Sequence, residues 1–248
     1  MGSIYTAAGT PGFYPELDEI VLPGSLNDGL VALHIGFAGA TAAAKNRADP
    51  SKPATIIGTP VTGPGYLDLK SATNYLTLGI GCPLNATLAV VGAGTDTGVD
   101  ITHRALLLSN YNGSGAQVGA SIQMSSPDDL RAIGGYGNGA GSYTFVSSGF
   151  DPTGETAKLR SLIATFNNAA TALFNMTDQQ QASVAPSAGY SRSDNGQLLR
   201  WGSGAAPNYQ GTSRQAMALV WTRVLDADER ALLYLWQKAF CATVGVLI

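Results

Sequence analysis

The chain has 248 residues, of which 45% are hydrophobic and only 12% are charged. Soluble domains usually carry about 25% charged residues. The apolar content is sufficient for a sizeable core, which excludes disorder for most of the chain. With 14 basic residues against 17 acidic ones and a net charge of −3, the chain has no electrostatic attraction to a phosphate backbone, so we predict no nucleic-acid partner.

The segment from residue 1 to residue 28 is rich in Gly, Pro and Ser, and it has no sustained period. Pro11, Pro15 and Pro23 each oppose a regular helix or a central strand. We predict an extended N-terminal arm over 1–28 that makes an assembly contact, followed by one domain over 29–248. The arm shows no basic run followed by an apolar stretch, so we expect no signal peptide.

Short apolar segments separated by Gly, Asn, Asp, Ser or Pro follow the arm, and this pattern is typical of strands joined by turns. The sequence has no internal repeat of the kind that a solenoid or a propeller would require. The pattern predicts an all-β fold, a two-sheet antiparallel jelly-roll sandwich. The segments predicted as strands are Gly29–Phe37, Thr55–Gly58, Tyr66–Leu69, Tyr75–Gly79, Thr87–Val91, Ala105–Ser109, Ala120–Met124, Tyr143–Ser147, Leu159–Phe166, Thr171–Met176, Leu198–Gly202 and Ala216–Val224.

One segment, Leu225–Phe240, has the apolar spacing of a helix face instead. Asp226 is placed to cap this helix, and Glu229 lies three residues later, which is the spacing of a capping box. We therefore predict one short C-terminal helix that packs on a sheet. No stretch reaches the length of about 18 apolar residues that a membrane span needs, so we predict no membrane insertion.

The residues that could carry catalysis are scarce and scattered. The four glutamates lie in the arm, a loop and the helix cap, which are poor places for a rigid pair of carboxylates. The alternative of a polysaccharide hydrolase would require a catalytic pair of carboxylates that are distant in sequence, such as Asp68 and Asp151. His34 alternates within an apolar strand and is expected in the core or an interface, whereas His103 is expected to face solvent.

Other motifs that could bind a ligand are equally weak. Gly92–Gly94 and Gly134–Gly139 do not match a phosphate-binding loop, so we interpret them as turns. Cys82 and Cys241 lack the spacing of a zinc site and are expected to be buried thiols. We therefore predict no cofactor and no metal, although loop aspartates leave calcium open as an alternative; these are Asp68, Asp96, Asp100 and Asp151.

Taken in order, the segments resemble a laminin-G-like domain of the concanavalin A-like lectin and glucanase superfamily. The clearest similarity is in 216–234, which resembles that family's last strand and the short helix after it. Weaker similarities lie at 29–35, 65–78, 159–166 and 170–176. The family's turn after the central strand is replaced here by 176–183, and its calcium aspartates cannot be matched to this sequence residue by residue. This resemblance implies a jelly-roll sandwich, and the same sandwich hosts several functions.

The Gly- and Ala-rich, poorly charged chain with its Pro-rich arm resembles such domains as they occur in tailed-bacteriophage virions. We therefore expect a non-enzymatic virion protein made in the bacterial cytoplasm, associated with the tail or tail tip, that binds a host-surface glycan or protein. The first alternative is a capsid decoration or baseplate protein that binds only other virion proteins. Scarce charge is typical of subunit interfaces, so we expect a homo-oligomer, and a trimer is our specific hypothesis.

Glycan binding uses aromatic faces beside hydrogen-bonding side chains. Such pairs occur in the turn-rich stretches of this chain, and they give the predicted ligand-binding residues. The six are Tyr111, Asn112, Tyr136, Asn138, Tyr190 and Tyr209.

Overall fold

A computed structural model describes residue 20 and residues 22–113, 118–126, 129–151 and 157–248. This part of the chain forms two antiparallel β-sheets and a long C-terminal helix, which confirms the predicted sandwich. The strands are β1 (Leu30–Ile35), β2 (Thr55–Ile57), β3 (Val61–Gly63), β4 (Tyr66–Lys70), β5 (Tyr75–Gly81), β6 (Ala86–Gly94), β7 (Ala105–Ser109), β8 (Ala120–Ser126), β9 (Asp129–Gly137), β10 (Tyr143–Phe150), β11 (Arg160–Phe166), β12 (Thr171–Asn175), β13 (Gln180–Val184), β14 (Ser191–Arg192), β15 (Leu198–Trp201) and β16 (Thr212–Trp221); the helices are α1 (Ala40–Ala44) and α2 (Ala227–Thr243).

The first sheet has the strand order β13-β12-β11-β6-β16-β4-β3, with β1 paired to the second half of β16. The second sheet has the order β10-β9-β8-β7-β15-β5-β2, with β14 paired to β9. Non-consecutive neighbours in both sheets mean that the chain crosses repeatedly between them, as in a jelly roll.

Two apolar layers hold the fold together. One lies between the sheets, and the other lies between the first sheet and α2. All nine residues of β6 are buried, because one face packs on the second sheet and the other lies beneath the helix layer. Strands buried on both faces have continuous apolar sequences, and 86–94 has such a sequence.

The capping box predicted for the C-terminal helix is present. The Asp226 carboxylate accepts from the Glu229 backbone N–H at 2.9 Å, and the Glu229 carboxylate accepts from the Asp226 N–H at 3.1 Å. The helix runs three residues further than Phe240, to Thr243. Among the described residues, no helix combines the length and apolar character needed to cross a membrane.

Each segment predicted as a strand overlaps one, but the turn predicted at Gly92–Gly94 is wrong, and the turn predicted at Gly134–Gly139 is wrong except for its last two residues. Gly92–Gly94 ends β6, and Gly134–Gly137 belongs to β9. A Cβ at Gly134 would collide with the Thr171 hydroxyl, and one at Gly135 would lie 2.9 Å from the backbone nitrogen of Gly119. These glycines permit close packing of the strand rather than a turn.

The described part of the predicted arm belongs to the packed domain. Leu22 and Leu26 are buried in the helix layer, and a 3-10 turn spans Gly24–Asn27. The indole Nε1 of Trp221 donates to the Leu26 carbonyl at 2.7 Å. The apolar core thus includes residues that the sequence assigned to the arm. Residues 1–19 lie outside the described residues.

The predictions for the isolated nucleophiles and bases are confirmed. His34 is buried, its Nδ1 lies 2.9 Å from the Ala43 carbonyl oxygen, and burial lowers the pKa of its imidazole to about 4. Cys82 and Cys241 are buried free thiols, and burial raises their pKa values to about 11 and about 12. His103 is partly exposed to solvent.

Candidate binding recess on the second sheet

A row of polar side chains lines the outer face of β8. Ala120, Ile122 and Met124 point into the core between the sheets, so the alternating residues point outward. The outward row forms a chain of hydrogen bonds, because the Ser121 hydroxyl donates to the Gln123 Oε1 at 3.3 Å and the Gln123 Nε2 donates to the Ser125 Oγ at 2.8 Å; the row is Ser121, Gln123 and Ser125.

The neighbouring strands add charge and an aromatic ring to the same face. On β9, the Arg131 Nε donates to both carboxylate oxygens of Asp129, at 2.8 and 2.6 Å. On β10, Phe145 has 53% of its surface exposed. Phe145 is paired in register with Gly135.

A second aromatic group stands on the other side of the polar row. Tyr111 follows β7 and Tyr209 precedes β16, and their rings meet edge to face with centroids 5.6 Å apart. Burial raises the pKa of the Tyr111 hydroxyl, and its hydrogen bond with Tyr209 adds to this shift. The Arg104 guanidinium lies over the Tyr209 ring, with 5.7 Å between Cζ and the ring centroid.

These groups enclose an open depression of about 440 Å³, which we call the outer recess. Its floor includes a small apolar cluster that contains Ile133 and the two tyrosines. Its volume lies in the range of about 300–1,000 Å³ that is common for small-molecule sites. Its lining residues are Val99, Arg104, Tyr111, Gln123, Ser125, Ser126, Asp129, Arg131, Ile133, Phe145 and Tyr209.

Hydrogen bonds and ion pairs among Asp96, Asp100 and His103 hold the loop that carries Val99. Asp100 accepts from the Thr102 backbone N–H at 2.8 Å and lies 2.9 Å from the His103 Nδ1. The hydrogen bonds from Thr102 and His103 lower the pKa of Asp100 to about 2, and the bond to Asp100 raises the pKa of His103. Asp96 lies 4.0 Å from the His103 Nε2. This loop forms one wall of the outer recess.

Of the six predicted ligand-binding residues, two line the outer recess. These are Tyr111 and Tyr209, although both are largely buried. Asn112 follows Tyr111 in the chain and is half-buried, and its backbone N–H donates to the Val118 carbonyl at 3.2 Å.

The other three lie elsewhere. The exposed position predicted for Tyr136 is wrong, because it is fully buried on the inner face of β9 and its hydroxyl donates to the Asn167 carbonyl at 3.0 Å. Asn138 is exposed in the turn after β9, and its Oδ1 accepts from two backbone N–H groups of that turn. Tyr190 is half-buried in the loop before β14.

The two aspartates considered as a catalytic pair, Asp68 and Asp151, lie at different sheets, whereas Asp96 and Asp100 lie beside the same His103 imidazole. Asp68 lies on β4 of the first sheet and pairs with the Arg214 Nε at 3.2 Å. Asp151 follows β10 at the edge of the second sheet. Within the described ranges, no group of three or more His, Cys, Asp or Glu side chains is arranged to hold a metal ion.

Sequence reasoning missed most of the lining, including Arg104, Gln123, Arg131 and Phe145. Arg104 directly precedes β7 and the other three lie on β8, β9 and β10, so only the pairing of these strands brings them together. One signal was available in the sequence, because polar residues alternate with apolar ones over 120–125 and thus mark an outward row.

Fold and recess together define a jelly-roll-like β-sandwich with an open depression on one sheet. No protein-family model matches the chain, and no curated protein matches it. Solved structures of botulinum neurotoxin binding domains share its fold. The serotype D binding domain has a TM-score of 0.60 at 12% identity, over 86% of this chain and 53% of that chain.

Two further neighbours have similar scores. The serotype C/D mosaic receptor-binding domain has a TM-score of 0.61 at 13% identity, over 86% of this chain and 52% of that one. The serotype D ligand-binding domain in complex with N-acetylneuraminic acid has a TM-score of 0.62 at 12% identity, with the same coverage. The chain spans about half the length of these neighbours.

Proposed function

We propose that this chain is a non-enzymatic binding module that recognises a glycan through the outer recess. The observation that carries the proposal is the composition of the recess, in which an exposed aromatic ring stands beside a row of amide and hydroxyl groups. The apolar face of a sugar packs on a ring such as Phe145, while its hydroxyls exchange hydrogen bonds with the partly exposed Arg131 and Asp129. Gln123 and Ser125 are buried and bonded to each other in the lining.

A binding role rather than hydrolysis is supported by the carboxylates. Glycoside hydrolysis generally requires two carboxyl groups on either side of the scissile bond. Among the described residues that line the recess, Asp129 is the only carboxylate, and it is engaged by Arg131. The neighbours with this fold are named as binding domains, and one was solved with a bound sugar, which agrees with a binding role.

The test is a glycan array probed with the wild-type chain and two alanine variants. Phe145→Ala removes the exposed ring from the recess, and Leu235→Ala removes a similarly exposed side chain from α2, on the other side of the molecule. We expect Phe145→Ala to weaken glycan binding at least tenfold and Leu235→Ala to leave it unchanged. Equal binding by all three proteins would place the glycan elsewhere, and absence of binding by the wild type would refute the proposal.

We further propose that the module acts in a bacteriophage virion, at the tail or tail tip, as a homo-oligomer. This part rests on the resemblance and the composition. Mass spectrometry of purified particles should find the chain, and sedimentation velocity would distinguish a trimer from a monomer.

The alternative, a decoration or baseplate protein that binds only other virion proteins, is favoured by apolar side chains exposed near the C-terminus. Leu235 and Leu247 are 62% and 84% exposed. An arm-deletion test should remove 1–19 only, because Leu22 and Leu26 belong to the core. Loss of the truncated chain from particles that still contain the full-length chain would support an assembly role, and normal incorporation would contradict it.

A further inference from the structure

We propose that the outer recess selects a saccharide that carries a carboxylate. Arg104 is the residue that binds this carboxylate. The proposal rests on the glycan-binding function proposed above. The two arginines of the recess differ in their partners, and this difference is the starting point.

Arg131 is already neutralised. Its Nε donates to both oxygens of Asp129 at 2.8 and 2.6 Å. A ligand carboxylate that approached Arg131 would have to displace Asp129 or accept its repulsion. Arg131 and Asp129 therefore form an ion pair without net charge, which suits sugar hydroxyls better than an anion.

Arg104 has no such partner. Within the described part of the chain, no carboxylate oxygen lies within 4.0 Å of its guanidinium, whereas four other arginines form salt bridges. The Nε of Arg104 is shielded from solvent and has no hydrogen-bond acceptor. Its Nη1 makes only a long bond of 3.4 Å to the Tyr209 hydroxyl.

An unsatisfied donor on a charged group is costly where water is excluded. The Nε itself is closed to a ligand, so an acceptor in the recess would meet the terminal Nη groups, which share the same charge. A planar guanidinium binds a carboxylate through two parallel N–H bonds, which satisfies donors and charge together. The Tyr209 ring against Arg104 holds the guanidinium in place and lowers the local polarity, which strengthens the ion pair.

The rest of the lining fits the remainder of such a sugar. The partly exposed pair of Arg131 and Asp129 offers donors and acceptors to ring hydroxyls, and Phe145 offers an apolar surface. A polyanion such as nucleic acid fits less well, because the whole chain carries a net charge of −3 and, among the described lining residues, Arg104 is the only cation without a carboxylate partner.

The experiment uses bacterial capsule and lipopolysaccharide fractions, each in its native form and after reduction of the uronic carboxyl groups to hydroxymethyl groups. Reduction keeps the ring stereochemistry and linkages and removes only the charge. We expect the full chain to bind a native acidic fraction about ten- to hundredfold more tightly than its reduced form, as one charge-assisted contact implies. Added salt should narrow this difference.

Three variants assign the effect. Arg104→Gln should abolish the preference for the native form, and Arg104→Lys should keep part of it through its charge. Lys238→Gln changes the net charge equally but lies exposed on α2, so it should keep the full preference. Thermal unfolding of each variant shows whether it is folded. Within the described residues, the Arg104 side chain forms no salt bridge and its hydrogen bond to Tyr209 is long, at 3.4 Å, so we expect melting temperatures close to that of the wild type.

The outcomes separate the two proposals. Equal binding of native and reduced fractions, or an unchanged preference in Arg104→Gln, would overturn the inference while leaving glycan binding intact. Failure of the wild-type chain to bind any fraction in either form would overturn the proposed function itself.

Discussion

Glu229 connects three parts of the chain, and its removal should cost more than the loss of a helix cap alone. Its carboxylate accepts two hydrogen bonds from the Arg223 guanidinium, at 2.6 and 2.7 Å, and one from the Ser25 hydroxyl at 2.7 Å. It also accepts from the Asp226 N–H in the capping box. Glu229→Ala therefore disconnects α2 from the end of β16 and from the 3-10 turn at 24–27.

The size of the effect follows from these contacts. A hydrogen bond to a charged group contributes about 1.5–3 kcal/mol, and a capping interaction contributes about 1 kcal/mol. Solvent screens the Arg223 pair in part, because the arginine side chain is 27% exposed. We expect Glu229→Ala to lower the free energy of unfolding by about 2–3 kcal/mol, which lowers the melting temperature by about 4–12 °C in a chain of this size.

The stability lost in Glu229→Ala should become smaller as the pH falls. The hydrogen bonds from Arg223 lower the pKa of Glu229 to about 2, from an ordinary value of 4.5. A carboxyl group with a lowered pKa stabilises the fold fully above its unfolded-state pKa, and this contribution disappears as the pH falls through the folded-state value. The difference between wild type and Glu229→Ala should be constant near neutral pH and shrink below about pH 4.5.

Urea unfolding followed by circular dichroism, at several pH values, measures these quantities. Asp228→Ala is the matched control, since Asp228 is exposed in the same helical turn and should cost less than about 1 kcal/mol. A double-mutant cycle with Arg223→Ala should give a coupling energy of at least about 1 kcal/mol. The proposed role of Glu229 would be refuted if Glu229→Ala lost no more stability than Asp228→Ala. It would also be refuted if the effects of Glu229→Ala and Arg223→Ala were additive.

Three further predictions concern other buried groups. Cys82 and Cys241 should not react with a thiol reagent at pH 8 in the native protein, because burial raises both pKa values, and two thiols should react after denaturation. Gly134→Ala should destabilise the fold by about 1–3 kcal/mol in urea unfolding, since its methyl group would collide with the Thr171 hydroxyl; an unchanged midpoint would contradict this packing. Asp178→Asn removes the carboxylate that binds the buried Arg160 at 2.6 Å and should cost about 3 kcal/mol by the same assay, whereas a loss under 1 kcal/mol would refute it.

The fold was predictable from sequence where apolar residues and turn residues alternate, but β9 was not. Its residues 134–137 include three glycines, which sequence patterns associate with turns. Their role depends on contacts from outside the strand, such as Gly119 beside Gly135. The same holds for β13, whose residues 180–184 are largely polar and exposed, so that only its pairing with β12 makes it a strand.

The outer recess was predictable only in part, for a related reason. Tyr111 and Tyr209 were identified because both lie beside amide side chains in turn-rich stretches. Tyr136 satisfied the same rule, yet it points into the core, because its position along β9 decides which face it occupies. Arg104 could not be identified, since its importance lies in the absence of a nearby carboxylate among the described residues, and sequence spacing carries no information on that.

The layered fold gives an explanation for the small number of charged residues that differs from contact with partner subunits. A sandwich with one solvated face on each sheet needs polar residues at alternate positions of every strand. Here α2 covers the outer face of the first sheet, and the central strand β6 is buried along its whole length. The low charge therefore follows partly from a three-layer core within one chain and does not by itself require a partner subunit. On the strands of the second sheet, charged residues are confined to β9, β14 and β15, and the two on β9, Asp129 and Arg131, line the outer recess.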